Sequence, residues 1–304
     1  GTFGIPEFGT KFVRGMLLDT LPMSFSDLLC ISGLSHGTDV WLGNAKELID
    51  SGVITSISDA VCCRDDIMVY LIKMGLPKNT SFKIMETVRK GKALKDPEKW
   101  AEYEDLMREN NVPEWYIDSC KKIKYMFPKA HAAAYVMMAF RIAWFKVHIP
   151  MAYYAAYFSI RAKAFDAEFM IFGKEKVKEK MQEINKQGNE AAPKDKDMYD
   201  DLEIVLEMYE RGFKFLPMDL YKSDANKFKV EDDGLRPPLN SISGMGNVAA
   251  EAIFKAVHED IPISSIDNLK KRAKIGNSAV ELLKKFDCLR GLPESDQVSF
   301  FDMI

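Results

Sequence analysis

Cysteine and histidine are too few and too scattered in this sequence to build chemistry by spacing alone. The five thiols, Cys30, Cys62, Cys63, Cys120 and Cys288, make no C-x-x-C pattern, and adjacent Cys62 and Cys63 are badly placed for a disulfide. That argues against a metal knuckle or a disulfide framework, and for reduced, buried thiols in a cytoplasmic chain. The four histidines, His36, His131, His148 and His258, lie far apart and lack zinc-binding spacing, so no metal ligands are assigned. No signal peptide opens the sequence and no clean apolar run is long enough to cross a bilayer, so no membrane partner is expected. Formal net charge is -3, so a nucleic-acid partner would have to meet local basic patches rather than a global field. Low-complexity tracts and the phosphate-loop pattern Gly-x4-Gly-Lys-Ser/Thr are both missing. The adjacent carboxylates Asp65-Asp66, Asp200-Asp201 and Asp232-Asp233 do not face a common point, because neighbours on a helix diverge. All three pairs read as solvated, and no catalytic residue is assigned.

What is present is the balance of an ordinary folded chain: 47% hydrophobic and 29% charged residues over 304 positions, room for roughly two or three domains. Helical periodicity begins near Thr10. It recurs over Asp59–Met74, Ser81–Gly91, Asp96–Asn111 and Pro113–Met126, with Gly75, Pro77 and Asn79 marking a turn. The apolar stretch Ala130–Ile149 is interrupted by Arg141 and Lys146, which predicts a buried central helix rather than a membrane span. Pro150 bends the chain into a second apolar helix, Met151–Ala162. Helices follow over Phe172–Gln187 and Met198–Gly212, with residues 188–197 as a loop. Strand signal is confined to about Lys227–Ile242, turned by Asp233-Gly234. Asn247–His258, Ser265–Ala273 and Ser278–Phe286 close a mainly α chain with one small β-hairpin.

Four stretches could carry chemistry. The run from Phe127 to Tyr135 (FPKAHAAAY) sets Pro128 at a helix start, where free N–H groups and the helix dipole attract an anion. Lys129 and His131 add donors there, the alanines let a ligand approach the backbone, and Tyr135 lies one turn beyond His131. A capped core helix with a snorkelling lysine is the plain alternative. Arg89-Lys90-Gly91-Lys92 either ends a solvated helix or closes over a polyphosphate. Ile31 to Asp39 (ISGLSHGTD) shows neither helical nor strand period, which suits a loop lining a site or an ordinary turn. Gly244-Met245-Gly246 before Asn247 would let backbone amides meet one DNA phosphate while Met245 plugs the turn. Ile275-Gly276-Asn277 echoes it, with Lys270, Arg272 and Lys274 nearby.

These stretches resemble the PolC-type family of replicative DNA polymerase III alpha subunits. GIPEFGTKFVRG at Gly4–Gly15, ISGLSHGTDVW at Ile31–Trp41 and MFPKAHAAAY at Met126–Tyr135 resemble its fingers. Glu210–Phe213 through Leu220-Tyr221 resembles its connector, and PPLNSISGMG its helix-hairpin-helix region. The terminal Gln297, Val298, Ser299, Phe300 and Phe301 resemble a sliding-clamp binding motif, with Phe300 replacing the usual Leu. The resemblance implies a DNA-directed DNA polymerase, a nucleotidyltransferase that extends a primer with deoxynucleoside triphosphates by two-metal chemistry using Mg²⁺. It implies fingers over 1–165, a helical connector over 166–226, hairpin and tandem helix-hairpin-helix over 227–290, and a clamp-binding tail over 291–304. Palm, thumb, exonuclease and PHP regions are expected before residue 1, so the fragment alone is expected to be inactive.

By the same resemblance, Ser35, His36, Thr38, Arg89, Lys90, Lys92, Phe127, Lys129, His131, Tyr135 and Arg141 bind the nucleotide. Gly244, Met245, Gly246, Asn247, Lys270, Arg272 and Lys274 bind duplex DNA. The implied partners are primer-template DNA, dNTP, the sliding clamp and other replisome subunits. A non-catalytic DNA-binding and clamp-interaction module, and a purely structural helical scaffold, are the competing readings.

Overall fold

The computed structural model describes residues 1–296, so Gln297–Phe301 and the expectation placed on them lie outside the described residues. The chain divides into two compact units, Gly1–Ala143 and a second beginning at Trp144. Fifteen α-helices, five short 3-10 or π segments and one two-stranded hairpin make up its regular structure among the described residues.

In the first unit, α1 (Lys11–Thr20) starts where Thr10 accepts a hydrogen bond from the Val13 amide. Next comes α2 (Phe25–His36), which overturns the loop expected at Ile31–Asp39; only Gly37 to Asp39 leave the helix. Its cause is a capping box: Ser24 accepts from the Asp27 amide and Asp27 accepts from the Ser24 amide. Buried Ile31, Ser32, Gly33 and Leu34 give the helix no polar face, which hid its period. After α3 (Lys46–Asp50), α4 (Arg64–Lys73) and α5 (Lys78–Arg89) pack together across the turn at Gly75. Asp96 caps α6 (Pro97–Glu109), and Pro113 precedes α7 (Glu114–Lys122). Ile67, Leu71, Ile84, Trp100 and Ile117 lie fully inside.

Helix α8 (Lys129–His148) forms as expected but is not buried. Ala132, Val136, Ala139 and Lys146 face inward, whereas Tyr135, Met138, Phe140, Trp144, Phe145 and Val147 are exposed. A run that is apolar all round cannot tell a buried helix from one with a single buried stripe.

The second unit holds α9 (Pro150–Ala156), α10 (Ala167–Met170), α11 (Lys174–Gln187) and α12 (Pro193–Glu210). Pro193 in the first turn starts α12 inside the expected loop. Buried Lys146 is paired with Glu207 at 2.6 Å. Asp201 is buried rather than solvated, accepting from the Lys163 and Ala164 amides at 3.0 and 2.8 Å. Burial pushes its carboxyl up to about 6.

Strands β1 (Lys229–Glu231) and β2 (Gly234–Arg236) pair antiparallel with Glu231 opposite Gly234, so Asp232 and Asp233 make the turn, not Asp233-Gly234. Gly234 is instead needed where the Lys214 carbonyl would stand 2.7 Å from a Cβ. Helices α13 (Asn247–Val257), α14 (Ile266–Ala273) and α15 (Asn277–Lys285) close on a core of Leu239, Ile242, Ile253, Leu269 and Leu283.

Candidate nucleotide and nucleic-acid sites

In the first unit, the segment 124–127 leading into α8 gathers three of the four stretches. On one edge the Thr38 amide donates to the Tyr125 carbonyl at 2.9 Å, and the Lys124 amide to the Thr38 carbonyl at 3.1 Å. On the other, the Met126 amide faces the Arg89 carbonyl at 3.4 Å. Gly91, at φ 60°, lies so close that a Cβ would stand 2.5 Å from the Lys124 carbonyl oxygen. The Arg64 amide holds the Phe127 carbonyl at 3.2 Å. Residues far apart in sequence thus share one surface.

That surface carries an aromatic ladder. His36 stacks on Phe127 with ring centres 4.8 Å apart at 27°. His131 meets Phe127 edge-on at 5.8 Å, and Tyr135 follows at 5.5 Å from His131. Tyr135 is half exposed, so the ladder has an open end.

The cations around it are mostly engaged. Lys129 Nζ lies 2.6 Å from Asp66 Oδ1, a contact that raises its affinity for the proton. The Lys129 amide, first in α8, donates to Asp65 Oδ2 at 2.8 Å. Asp65 and Asp66 are therefore not idle solvated carboxylates, as expected from sequence; they close the start of α8. Arg89 and Lys90 converge on Glu86, with Arg89 Nη2 at 2.9 Å and Lys90 Nζ at 2.7 Å. Hydrogen bonds from these two cations push the Glu86 carboxyl down to about 2. Lys92 is exposed. Ser35 donates to the Ser32 carbonyl at 3.0 Å. Arg141 is exposed and sits three turns along α8, roughly 18 Å from its start by helical rise, so Lys129 and His131 do not share a point with it. Among the described residues no group of three His, Cys, Asp or Glu side chains could hold a metal ion, and the Asp65-Asp66 pair is spent on Lys129.

The second unit carries two helix-hairpin-helix turns of one design. Gly244 at φ 89° and Lys274 at φ 51° hold the same left-handed position. Met245 and Ile275 follow, 5% and 7% exposed, and plug each turn into the core. Burying such a side chain contributes about 1.5–3 kcal/mol. Gly246 and Gly276 then stand as N-caps of α13 and α15, neither helix start receiving a side-chain hydrogen bond. No atom lies within 4 Å of a Cβ built on Gly246. Of the cations, Lys274 is exposed and Lys270 Nζ donates to Asn277 Oδ1 at 2.5 Å. Arg272 is committed to the end of α13, donating to the carbonyls of Ala256 and Ile261 at 2.7 and 2.6 Å and pairing with Glu259 at 3.0 Å. Beside Asn247 lies a cavity of about 580 Å³, lined in part by Ser159, Ile160, Asn226, Lys227 and Asn240.

Residues 1–111 match the bacterial DNA polymerase III alpha subunit finger domain, and residues 212–298 match the helix-hairpin-helix motif. Across 99% of its length the chain is 54% identical to the DNA polymerase III PolC-type of Clostridium perfringens and 55% identical to that of Bacillus subtilis. It is 50% identical to that of Thermotoga petrophila over the same share. The chain belongs to the PolC-type DNA polymerase III family. It spans about a fifth of those relatives, 20% of the first two and 21% of the third.

Three residues of the PolC-type surface escaped the sequence reading. Asp65 and Asp66 carried a signal: acids in the first turn of α4, with Asp66 accepting from the Cys63 amide at 3.1 Å. Their second partner, Lys129, is visible only in three dimensions. Glu7 gave none; its carboxylate lies 3.1 Å from His36 Nε2.

Proposed function

We propose that this chain supplies the nucleotide-facing fingers and the duplex-holding region of a DNA-directed DNA polymerase. The proposed division is fingers over 1–165, connector over 166–226, helix-hairpin-helix region over 227–290 and a clamp-binding tail over 291–304. The incoming dNTP would lie against Phe127, His131 and Tyr135, with Lys129, Arg89, Lys90 and Lys92 as the nearby cations, Arg141 further along α8, and Ser35, His36 and Thr38 shaping the wall. Positioning and charge neutralisation are what phosphoryl transfer asks of such a region. Mg²⁺ would travel with the triphosphate, its protein ligands lying elsewhere in the polymerase. Primer-template DNA would rest on the two hairpins, Gln297 to Phe301 would engage the sliding clamp, and other replisome subunits would complete a cytoplasmic assembly.

The observation that carries the reading is the duplication in the second unit: two plugged turns, each ending in a glycine that leaves a helix start open. An open helix start attracts a phosphate without reading sequence. One observation favours the alternative of a DNA-binding module that takes no nucleotide, namely the Asp65 carboxylate at the start of α8.

The test is an anisotropy titration of labelled primer-template duplex with this chain at several salt concentrations. Contact with roughly two to four phosphates predicts a log–log slope of about -2 to -3.5. Salt-insensitive binding, or none, overturns the DNA-holding role.

A further inference from the structure

Glu7 sits where a glutamate should be uncomfortable. Its φ is 68°, a left-handed value that side chains other than glycine, Asn and Asp rarely take. The Phe8 amide donates to the Pro6 carbonyl at 2.8 Å, making a three-residue turn centred on Glu7. The turn is over-determined: Ile5 and Phe8 on either side are buried, and Thr2 Oγ1 donates to the Phe8 carbonyl at 2.7 Å. Strain kept in place by so many contacts is typical of a residue held for its side chain.

That side chain has one destination. Glu7 Oε2 is buried and, among the described residues, has no hydrogen bond of good geometry; its ion-pair partner is His36 Nε2 at 3.1 Å. The opposite edge of the imidazole, Nδ1, lies 2.9 Å from the Ser32 carbonyl and 3.0 Å from the Ser35 hydroxyl, so it either donates to the carbonyl or accepts from the hydroxyl, according to the tautomer. His36 is gripped on both edges, leaving its face to lie against Phe127.

We propose that Glu7 is a positioning residue for nucleotide binding. It holds His36 edge-on, His36 backs the ring of Phe127, and the ladder running on through His131 to half-exposed Tyr135 offers a fixed stacking surface to the base of an incoming nucleotide. This rests on the nucleotide-facing reading of Phe127, His131 and Tyr135 given above. A pre-set ring loses less freedom on binding than a mobile one, so the gain appears in nucleotide affinity rather than in the chemical step.

The experiment is steady-state primer extension by the full polymerase polypeptide that carries this chain. Its variants are Glu7→Gly, Glu7→Gln, Phe127→Ala and the double variant Glu7→Gly/Phe127→Ala. Glycine removes the carboxylate without a left-handed backbone penalty, so folding is spared. Glu7→Gly should raise KM for dNTP about tenfold with kcat nearly unchanged. Glu7→Gln should recover most of the loss, because its amide can meet Nε2 as donor or acceptor. The double variant should be no worse than Phe127→Ala alone, since Glu7 acts through that ring.

If Phe127→Ala raises KM and Glu7→Gly does not, the positioning role fails and the stacking surface stands. If neither changes KM, the nucleotide reading fails with it. If Glu7→Gly lowers kcat and melting temperature together, or adds fully to Phe127→Ala, Glu7 is merely structural. His36→Phe keeps a ring on Phe127 without the edge contact. In that background Glu7→Gly should have no further effect, and a further rise in KM would also overturn the proposal.

Discussion

The start of α8 in the first unit and the starts of α13 and α15 in the second are built in opposite ways. In the first unit, α8 begins beneath a carboxylate: Asp65 takes its first amide and Asp66 its lysine. In the second, α13 and α15 begin on Gly246 and Gly276 with no side-chain cap. The positive end of a helix dipole is the same in each case. What differs is whether the protein spends that end on its own acid or leaves it to a visitor. A phosphate reaching α8 meets two carboxylates unless a cation arrives with it, whereas one reaching α13 or α15 meets bare amides. The basic residues Lys129 and His131 are thus weaker evidence for an anion site than the two helix starts at Gly246 and Gly276 that carry no side-chain cap.

Closing the open starts should have the largest effect. Aspartate is a strong N-cap and suits the extended backbone of Gly246 (φ -70°) and Gly276 (φ -84°). Gly246→Asp and Gly276→Asp should each stabilise the fold by roughly half a kcal/mol through capping and the dipole. Each should also weaken duplex binding at least about tenfold, because a fixed carboxylate would occupy the place of the phosphate. Anisotropy titration and thermal melting read the two effects in opposite directions. Unchanged affinity in the double variant would remove the hairpins from the DNA surface.

Opening the closed start is the converse and should do less. Asp65→Asn keeps a side-chain acceptor for the Lys129 amide but removes the charge. Stability should fall by under about 1 kcal/mol, since asparagine still caps. Affinity of the chain for a magnesium-free deoxynucleoside triphosphate, measured by calorimetry, should rise several-fold. No gain would mean that the start of α8 takes no phosphate even when its acid is neutralised.

The sequence announced the hairpins more clearly than the α8 surface. A glycine pair around one apolar residue is a local pattern, and Met245 does sit inward where that pattern puts it. The α8 surface is assembled from segments that meet only after folding, so its partners were out of reach. Asp65 and Asp66 looked solvated because neighbours on a helix diverge, yet Lys129 answers both from another segment. Asp201 was misread similarly, its partners being amides of a loop nearly forty residues away. Helix α2 was hidden for a different reason: the capping box at Ser24 and Asp27 was readable, but the four buried residues after it show no alternation of polar and apolar. Local chemistry was legible, and the meeting of distant segments was not.

The smallest expected effect separates the two hairpins from each other. Both turns need a left-handed residue before the plug, and one supplies glycine while the other supplies Lys274 at φ 51°. A non-glycine residue there costs about 1–2 kcal/mol, partly offset by the greater freedom glycine has in the unfolded chain. Lys274→Gly should therefore raise unfolding free energy by about 0.5 kcal/mol, read as a shift in urea midpoint at constant m-value. If exposed Lys274 touches a DNA phosphate, the same change lowers the salt slope of duplex binding by about one, with affinity falling only a few-fold. A stability gain with an unaltered slope would mean that the lysine stands at this turn without touching DNA, and that the glycines alone hold the duplex.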